Sequence, residues 1–498
     1  MKQNFKIVIH FFGLLLLFNG GFMLLSTLVS FLYQDGVTLP LLWSGISILL
    51  IGLLIMFTTK NHAKEMNKRE GYIVVAFGWI VMSLSGTLPY LLTGTIPNFT
   101  NAFFETMSGY TTTGATILND IESQPEGILF WRSLTHWIGG MGIIVLAIAI
   151  LPLLGIGGMQ LFAAEAPGPG GDKLHPRITD TAKRLWLIYF GYTAAETLFL
   201  KLAGMSFFDA INHAMSTLST GGFSTKNQSI AYWNDSPIVQ YIIVLFMLLA
   251  GTNFVLSYFG FKVNFKRIFK DEEFKLYAIF LGVFTIIASV VLYTNSSLSK
   301  VSVFNHPQVF GEIEATFRHA IFQVTAIITT TGFVTADFTL WSSFLVVFFF
   351  GLMFLGGSSG STSGGVKVVR HLLLIRNGFM EFKRSLHPNA VIPVRYNGKT
   401  VSGDIVFNVL GFFILYMISF IIGALGFSFL GLDFESAVGV AASSLGNVGP
   451  ALGEFGPAHN FYEMPQIGKW WASFLMLIGR LELFTVLILL TPFFWRNR

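Results

Sequence analysis

The fold is decided by a short polar motif, Tyr110-Thr111-Thr112-Thr113-Gly114-Ala115, at the end of an apolar stretch. Three motifs of the same kind follow along the chain: Ser219-Thr220-Gly221-Gly222-Phe223, Thr329-Thr330-Thr331-Gly332-Phe333 and Leu445-Gly446-Asn447-Val448-Gly449-Pro450. The aligned residues Gly114, Gly222, Gly332 and Gly449 are 108, 110 and 117 residues apart. Such even spacing predicts one structural unit that is repeated four times.

The composition is that of a membrane protein. Of the 498 residues, 53% are hydrophobic and only 11% are charged, whereas soluble domains carry about 25% charged residues. The mean hydropathy is +0.66, which excludes a soluble enzyme and a disordered chain. The absence of Cys excludes thiolate metal sites and cysteine nucleophiles.

Apolar segments long enough to cross a bilayer predict ten crossings. They lie at 7–33, 40–59, 71–93, 128–162, 184–205, 238–261, 275–294, 340–375, 402–430 and 468–495. Four shorter stretches precede the Gly motifs, at 99–111, 206–219, 311–329 and 432–446. At about 1.5 Å per residue these stretches reach only halfway through the membrane, so we expect re-entrant half-helices.

This pattern predicts an all-α polytopic membrane protein. Four pseudo-symmetric repeats, each a span, a pore helix, a filter motif and a second span, would surround one pore. A two-helix hairpin would precede them. The predicted boundaries are 1–70 for the hairpin and 71–183, 184–274, 275–401 and 402–498 for the repeats.

The positive charge points to the membrane and not to nucleic acid. The net charge is +5, but the basic residues fall in short loops between apolar segments, which is the usual topogenic pattern. With both termini inside, 24 of the 31 Lys and Arg residues lie inside, six lie outside, and Arg480 remains within a span. The chain is therefore expected to have cytoplasmic termini.

The Gly motifs predict a cation pore. Irregular backbone at membrane depth is tolerated only where protein buries it or water lines it. Gly permits positive φ and close backbone approach, so successive carbonyl oxygens can replace the water shell of a cation. The half-helices end at the motifs, where their negative dipole ends favour a cation. A single motif of this kind is more often a simple turn, and only the fourfold occurrence argues against that reading.

The chain resembles the Trk/Ktr/HKT superfamily of potassium transporters, and within it the TrkH-type subunits. The resemblance covers essentially the whole length. It rests on the four Gly motifs, on Met107 to Ala115, His136 to Gly142, Gly356 to Arg370 and Gly479 to Glu482.

The resemblance implies that one chain forms the pore, with K⁺ as the transported ion and no covalent cofactor. The selectivity filter and K⁺ ligands would be Thr112, Thr113, Gly114, Thr220, Gly221, Gly222, Thr330, Thr331, Gly332, Asn447, Val448 and Gly449. In this family a Ser at the first filter Gly accompanies sodium preference, so Gly114 favours potassium. The second and fourth motifs depart from Thr-Thr-Gly, which weakens the fourfold equivalence of the ion sites.

A break in the second span of repeat 3 predicts a gate. The run is Gly356-Gly357-Ser358-Ser359-Gly360-Ser361-Thr362-Ser363-Gly364-Gly365. Such residues cannot hold a lipid-facing helix at that depth, so we expect a mobile loop that lines the pore, as the resemblance also implies. The alternative is a loop buried between repeats without a gating role.

Four ionisable side chains are candidates near the pore. Arg480 would lie near mid-membrane, where a fixed positive charge raises the barrier for a passing cation. Its alternative role is an ion pair with Glu482 or another acid. Glu105 and His213 each lie nine residues before their filter Gly, and we expect them to tie half-helices to a neighbouring span. His136 is expected to pack.

The basic segment 366–401 is either topogenic charge that contacts anionic lipid or a docking surface. The resemblance implies a cytosolic TrkA-type nucleotide-binding regulatory subunit, a homodimer and the bacterial inner membrane. A sodium-selective or sodium/proton-coupled symporter of the same fold stays open. A polytopic membrane enzyme would need a cluster of convergent ionisable residues, and a sensor would need a further soluble domain.

Overall fold

The computed structural model describes residues 5–61, 67–145, 178–295 and 304–496. These residues are almost entirely helical. The first helices, through the second repeat, are α1 (Phe5–Tyr33), α2 (Thr38–Thr58), α3 (Lys68–Gly86), α4 (Leu88–Thr93), α5 (Phe99–Tyr110), α6 (Glu126–Val145), α7 (Ile178–Leu202), α8 (Phe207–Leu218), α9 (Pro237–Ala250), α10 (Phe254–Phe261) and α11 (Phe265–Lys270). The later helices are α12 (Glu272–Asn295), α13 (Glu312–Ile328), α14 (Ser343–Leu352), α15 (Val368–Leu386), α16 (Gly403–Phe429), α17 (Phe434–Gly446), α18 (Gln466–Arg480), α19 (Phe484–Leu487) and α20 (Pro492–Trp495).

Short elements complete the described parts of the chain. Four 3₁₀ helices lie at Ser229–Trp233, Phe338–Leu340, Gly453–Phe455 and Ile488–Leu490. A small antiparallel hairpin pairs β1 (Arg395–Tyr396) with β2 (Lys399–Thr400).

Five helical segments of the described chain are long and apolar enough to cross a membrane, or seven when each sharply bent pair counts as one span. The five are α1, α2, α3 with α4, α12 and α16. The span predicted at 128–162 is described only as far as Val145, and its remainder lies outside the described residues. The count of ten crossings stays a prediction.

The first two helices form the predicted hairpin through a run of small residues. A Cβ on Gly20 of α1 would lie 2.9 Å from the Gly45 carbonyl oxygen of α2, and one on Gly52 would lie 2.9 Å from Gly13 O. The two backbones therefore touch directly. Close approach at small residues is common between membrane helices. The hydrophobic effect does not favour helix association within lipid, so van der Waals contacts between closely packed backbones stabilise the pair.

The four short stretches before the Gly motifs are helices, as predicted, with 12 or 13 residues in three of them and 17 in that of the third repeat. They are α5, α8, α13 and α17, and each ends at its motif. Three of them start at a polar cap, because Asn98, Ser206 and Asp433 accept hydrogen bonds from backbone N–H groups in the first helical turn. Such caps satisfy N–H groups that would otherwise lack a partner at a helix start.

Two of the predicted spans are sharply bent, a feature that the sequence pattern does not predict. The segment at 238–261 bends by 109° between α9 and α10, and the segment at 468–495 bends by 112° after α18. At the second bend, Glu482 and Leu483 have φ values of 55° and 54°. A left-handed backbone at two successive residues cannot continue a right-handed helix.

The second span of repeat 3 is interrupted where the sequence predicts a break. Helix α14 ends at Leu352 and α15 begins only at Val368. A backbone bridge between Leu355 and Val366 closes the base of the intervening loop, so its two ends lie side by side. Repeats 2, 3 and 4 thus each carry a broken second span.

Candidate functional site

The four Gly motifs share one backbone shape. Their glycines, Gly114, Gly222, Gly332 and Gly449, have φ values of 85°, 80°, 73° and 100°. The residue two positions earlier is left-handed in every motif, with φ between 52° and 56° at Thr112, Thr220, Thr330 and Asn447. The sequence departures in the second and fourth motifs therefore leave this backbone unchanged.

The backbone hydrogen bonds repeat as well. In the first motif the Thr112 N–H donates to Gly109 O at 3.0 Å, and the Thr113 N–H donates to Ser108 O at 2.9 Å. The same pairs recur in the other three motifs as Thr220 to Thr217, Gly221 to Ser216, Thr330 to Ile327, Thr331 to Ala326, Asn447 to Ser444 and Val448 to Ser443.

These bonds direct the amides back into the half-helix and leave the carbonyls available. Within the described ranges, no backbone hydrogen bond ends on the carbonyl oxygens of Thr112, Thr113 or Gly114, or on those at the matching positions. Buried carbonyl groups are nearly always paired in proteins. In the described residues, Gly449 O accepts a side-chain hydrogen bond from Ser443 Oγ at 2.8 Å. The other carbonyls of the set are unpaired within the same ranges, and their repetition indicates a place for another partner.

The motifs contact one another in a closed ring, which we call the Gly ring (Gly114, Gly222, Gly332 and Gly449 with the residues before them). A Cβ on each glycine would collide with the carbonyl oxygen before the next glycine. The distances are 2.0 Å from Gly114 to Gly221 O, 2.0 Å from Gly222 to Thr331 O, 2.0 Å from Gly332 to Val448 O and 2.5 Å from Gly449 to Thr113 O. The fourth repeat thereby contacts the first.

Asn447 links the fourth motif to the first. Its Nδ2 donates to Thr113 Oγ1 at 3.0 Å and to Met476 O at 2.9 Å. In the first motif Thr113 Oγ1 also lies 2.9 Å from Thr111 Oγ1. The amide side chain thus makes a cross-repeat contact that a Thr at this position is too short to make.

His136 explains the departure in the second motif. Its ring stacks on Phe223 with centroids 3.9 Å apart, so it packs, as expected. A Cβ on Gly221 would lie 2.3 Å from His136 Nδ1. The imidazole fills the space that a Thr or Val side chain occupies in the other motifs, and only Gly fits beside it.

In the first two repeats, the polar side chain nine residues before the filter Gly forms hydrogen bonds with the segment that follows this Gly. Glu105 accepts a hydrogen bond from Thr116 Oγ1 at 2.9 Å and from the Ile117 N–H at 2.9 Å. His213 Nε2 lies 2.9 Å from Ser224 Oγ. Both residues therefore join the pore helix to the segment after its own motif, and Glu105 also contacts Arg132 of a neighbouring span.

That span contributes Arg132, a buried cation that sequence reasoning missed. Its Nε lies 2.7 Å from Glu105 Oε1, and its Nη1 donates to Ser224 O at 2.8 Å. The guanidinium also covers the ring of Phe223, 3.7 Å from the centroid. The prediction that Arg480 is the one cation within a span was wrong, because Arg132 lies in the predicted span at 128–162 and is buried like Arg480.

The loop at 356–365 lies against the C-terminal ends of three pore helices. The Gly364 N–H donates to Thr330 Oγ1 at 2.6 Å, so the loop contacts a filter residue directly. Thr362 Oγ1 donates to Leu218 O at 2.9 Å, and a Cβ on Gly364 would lie 2.5 Å from Gly446 O. Most of this loop is buried.

The same loop explains the bend between α9 and α10. The Ser358 N–H donates to Gly251 O at 2.8 Å, and Gly360 O accepts from the Phe254 N–H at 3.2 Å. Asn253 then caps α10 through its side chain. Backbone groups freed by the bend are therefore paired with loop groups, as burial in a membrane protein requires.

Glu273, at the start of α12, joins the loop at Ser359 to the first turn of α15. One carboxylate oxygen accepts from the Ser359 N–H at 2.6 Å and from the Val369 N–H at 3.2 Å. The other accepts from Ser359 Oγ at 2.9 Å. This buried carboxylate is a second residue that the sequence did not single out, because an acid at a helix start is usually a solvated one.

Arg480 is 1% exposed and contacts backbone oxygens. Its Nη1 donates to Thr362 O at 2.7 Å, and its Nη2 donates to Gly139 O at 3.3 Å. No salt bridge involves Arg480 in the part of the chain that the structure describes, and Glu482 instead pairs with Arg370 at 2.5 Å. The alternative of an Arg480–Glu482 ion pair was therefore wrong.

The basic segment 366–401 offers less surface than its sequence suggests. Lys367 and Arg370 are both buried. Lys367 donates to the Ser363 carbonyl of the loop, and Arg370 covers the Phe412 ring at 3.8 Å. These two cations hold the loop and α16, so they do not belong to a docking surface.

The fold and the ring together define a multi-pass membrane transport protein with four half-helix motifs. The family model of TrkH, described as a cation transport protein, matches residues 42–496, and the chain belongs to this family. Membership of a transporter family agrees with the sequence-based exclusion of an enzyme.

Relatives align along the whole chain. The Trk system potassium uptake protein TrkH of Vibrio parahaemolyticus is 42% identical over 99% of this chain and 100% of its own. The protein of the same name from Escherichia coli K12 is 41% identical with the same coverage. The crystal structure of the potassium transporter TrkH from Vibrio parahaemolyticus matches with a TM-score of 0.88 at 39% identity, over all of both chains.

Proposed function

We propose that this chain carries potassium across the bacterial inner membrane, with the Gly ring as its selectivity filter. The repeated carbonyl oxygens of four motifs with one backbone shape, unpaired except for Gly449 O, are the observation that supports this most directly. The names of the relatives, potassium uptake proteins, support the choice of ion. The proposed ligands are the carbonyls and hydroxyls at Thr112, Thr113, Gly114, Thr220, Gly221, Gly222, Thr330, Thr331, Gly332, Asn447, Val448 and Gly449.

The chemistry follows from the state of these oxygens. Carbonyl groups without hydrogen bonds can replace the hydration shell of an alkali ion at low cost. The negative ends of α5, α8, α13 and α17 lie at the same place and stabilise a cation there. A neutral ring of this kind holds a monovalent ion weakly enough for it to leave again.

The proposal is tested by cation flux into proteoliposomes that contain the purified chain, with potassium, rubidium, sodium and lithium compared. We expect potassium and rubidium to enter much faster than sodium and lithium. Equal or greater sodium flux would contradict potassium selectivity. Because a closed gate also gives no flux, the unfolding temperature of the detergent-solubilised chain is measured in potassium and in sodium. Potassium-specific stabilisation reports a filter that binds the ion.

The loop at 356–365 and Arg480 are proposed as the gate. The loop contacts Thr330 in the ring and is held there by hydrogen bonds from both flanks. Arg480 adds a fixed positive charge that contacts the loop at Thr362 O. Opening would move the loop away from the C-terminal ends of the pore helices.

Replacing Glu273 with Ala is expected to open this gate. The substitution removes three hydrogen bonds to Ser359 and Val369, and bonds to a charged group contribute about 1.5–3 kcal/mol. Potassium flux through the resting chain should therefore rise roughly tenfold.

The matched control is Asp404→Ala, because Asp404 occupies the first turn of α16 but is exposed to solvent. Flux through that variant should equal flux through the wild type. Unchanged flux through Glu273→Ala, in protein that unfolds at a similar temperature, would show that the hydrogen bonds of Glu273 do not keep the gate closed.

We further propose a homodimer that a cytosolic TrkA-type nucleotide-binding subunit regulates, with both termini in the cytoplasm. The exposed face of α15 supports a docking role, since it presents Phe379, Phe382 and Lys383. The natural absence of Cys makes the orientation simple to test. A Gly36→Cys variant should react with an impermeant maleimide added outside intact cells, because the loop after α1 would be external.

A further inference from the structure

One buried polar contact joins the N-terminal hairpin to the first filter motif. Asn19 lies in the middle of α1 and is fully buried. Its Oδ1 accepts a hydrogen bond from the Tyr110 hydroxyl at 2.5 Å. Its Nδ2 donates to Ser85 Oγ at 2.6 Å and to Met82 O at 3.3 Å. Every polar atom of the Asn19 side chain is thus paired.

Tyr110 is the last residue of α5, immediately before the first motif. The two bonds that fix the motif run into the same helical turn, from Thr112 to Gly109 and from Thr113 to Ser108. A rotation of this turn would therefore move the carbonyls of Thr112 and Thr113 in the Gly ring. The Tyr110 hydroxyl is the side-chain contact that opposes such a rotation from outside the repeat.

The other three repeats show that this contact is an exception. The position four residues before the filter Gly holds Leu218, Ile328 and Leu445, which are apolar and buried. Only repeat 1 has a hydroxyl there, and only the hairpin supplies a partner for it. An unpaired polar side chain within membrane-buried helices is energetically unfavourable. Asn19 and the Tyr110 hydroxyl therefore each depend on the other as a hydrogen-bond partner.

The ring of Tyr110 is also enclosed. A Cβ on Gly86 of α3 would lie 2.8 Å from Tyr110 Cε2, and a Cβ on Gly139 of α6 would lie 2.0 Å from the Tyr110 carbonyl oxygen. The ring therefore packs against α3, the backbone of the same residue packs against α6, and the hydroxyl contacts Asn19. The hydrogen bond and the packing act on the same helical turn.

We propose that Asn19 and Tyr110 form a strut through which the N-terminal hairpin sets the geometry of the first filter motif and so contributes to ion selectivity. This inference rests on the proposed function of the Gly ring. Under this proposal, the N-terminal hairpin contributes to the discrimination between ions as well as to membrane anchoring. Asn19 and Tyr110 are positioning residues, since neither touches the ring carbonyls.

The test uses Tyr110→Phe, which removes one oxygen and keeps the ring, and Asn19→Leu, which keeps the volume without polarity. The potassium-to-sodium flux ratio is measured in proteoliposomes of the full chain. Each variant should lower the ratio roughly fivefold, which is the scale of one buried hydrogen bond. The double variant should lower it no further than either single variant, because the two residues act as a pair.

The matched control is Ser26→Ala. Ser26 lies two turns further along α1, is fully buried, and its hydroxyl has no hydrogen-bond partner among the described residues. This variant should retain the wild-type flux ratio. If Asn19→Leu does not fold, Tyr110→Phe alone still tests the strut.

A second measurement needs no open gate. The unfolding temperature of each purified variant is compared in potassium and in sodium, because an ion that binds the folded filter raises it. If the Asn19–Tyr110 contact sets the filter geometry, potassium should raise the unfolding temperature of both variants by less than it raises that of the wild type. The proposal would be overturned if a variant unfolds at a lower temperature in both salts while the difference between potassium and sodium stays that of the wild type. The contact would then contribute only to stability.

The two readouts also separate this inference from the function on which it rests. A wild-type chain with neither selective flux nor potassium-specific stabilisation would contradict the filter itself. A selective wild type whose selectivity survives Tyr110→Phe would contradict the strut alone.

Discussion

Replacing Gly114 with Ser is expected to lower the potassium-to-sodium flux ratio by a factor of roughly 10 to 100. The new Cβ would lie 2.0 Å from Gly221 O, so the backbones of two motifs must move apart. Forcing a side chain into such packing costs about 1–3 kcal/mol. Because the ring is continuous, the displacement spreads to the neighbouring carbonyls and widens the ion site. Ion flux in proteoliposomes measures the ratio.

The chain contains a matched control for this substitution. Gly36, between α1 and α2, has the same φ of 85° as Gly114, but no atom lies within 4 Å of its added Cβ. The Gly36→Ser variant therefore carries the same backbone strain without the collision. It should keep the wild-type flux ratio. An unchanged potassium-to-sodium flux ratio in Gly114→Ser would contradict the proposal that the Gly ring determines selectivity.

Replacing Arg480 with Ala is expected to raise potassium flux at least about tenfold. A buried guanidinium beside the loop repels each passing cation, and at about 4 Å the repulsion is roughly 4 kcal/mol with intermediate screening. The substitution also frees Thr362 O of the loop and Gly139 O of α6, so the loop loses its hydrogen bond to Arg480 and its link through Arg480 to α6. Both effects act in the same direction. Reduced flux in well-folded protein would contradict the barrier role.

Two further variants separate charge from hydrogen bonding. Arg480→Gln keeps a donor that can reach the loop but removes the charge, so it should raise flux nearly as much as Arg480→Ala if repulsion dominates. Arg318→Gln removes an equally buried guanidinium from α13, where it contacts Glu314 and Gln240 rather than the loop. That control should lower stability without raising flux.

The sequence predicts the half-helices because their length and the following Gly are local properties. Helices α5, α8, α13 and α17 lie where 99–111, 206–219, 311–329 and 432–446 were expected. The break at 356–365 is likewise local, since Gly and Ser weaken a helix wherever they occur. Features that depend on a residue and its immediate neighbours can thus be read from a single chain.

The bends and the buried cations are different, because distant partners determine them. The segment at 238–261 is mostly apolar apart from Gly251-Thr252-Asn253, and the backbone freed at its bend is paired with Ser358 more than a hundred residues later. Arg132 looks like a loop cation until Glu105 and Phe223 surround it. Neither the partner nor its direction is visible in periodicity or composition.

The contact between Asn447 and Thr113 has a consequence for how the protein is made. These residues are 334 positions apart, so the first motif meets its final neighbour only when the last repeat has entered the membrane. Contacts between such distant residues form late, because the loop entropy is lost before the contact forms. Once the third motif has been made, the nascent chain therefore holds three motifs without the fourth until Asn447 is added. A chain that lacks its final helices is expected to have no partial activity, since the filter is completed by the last repeat.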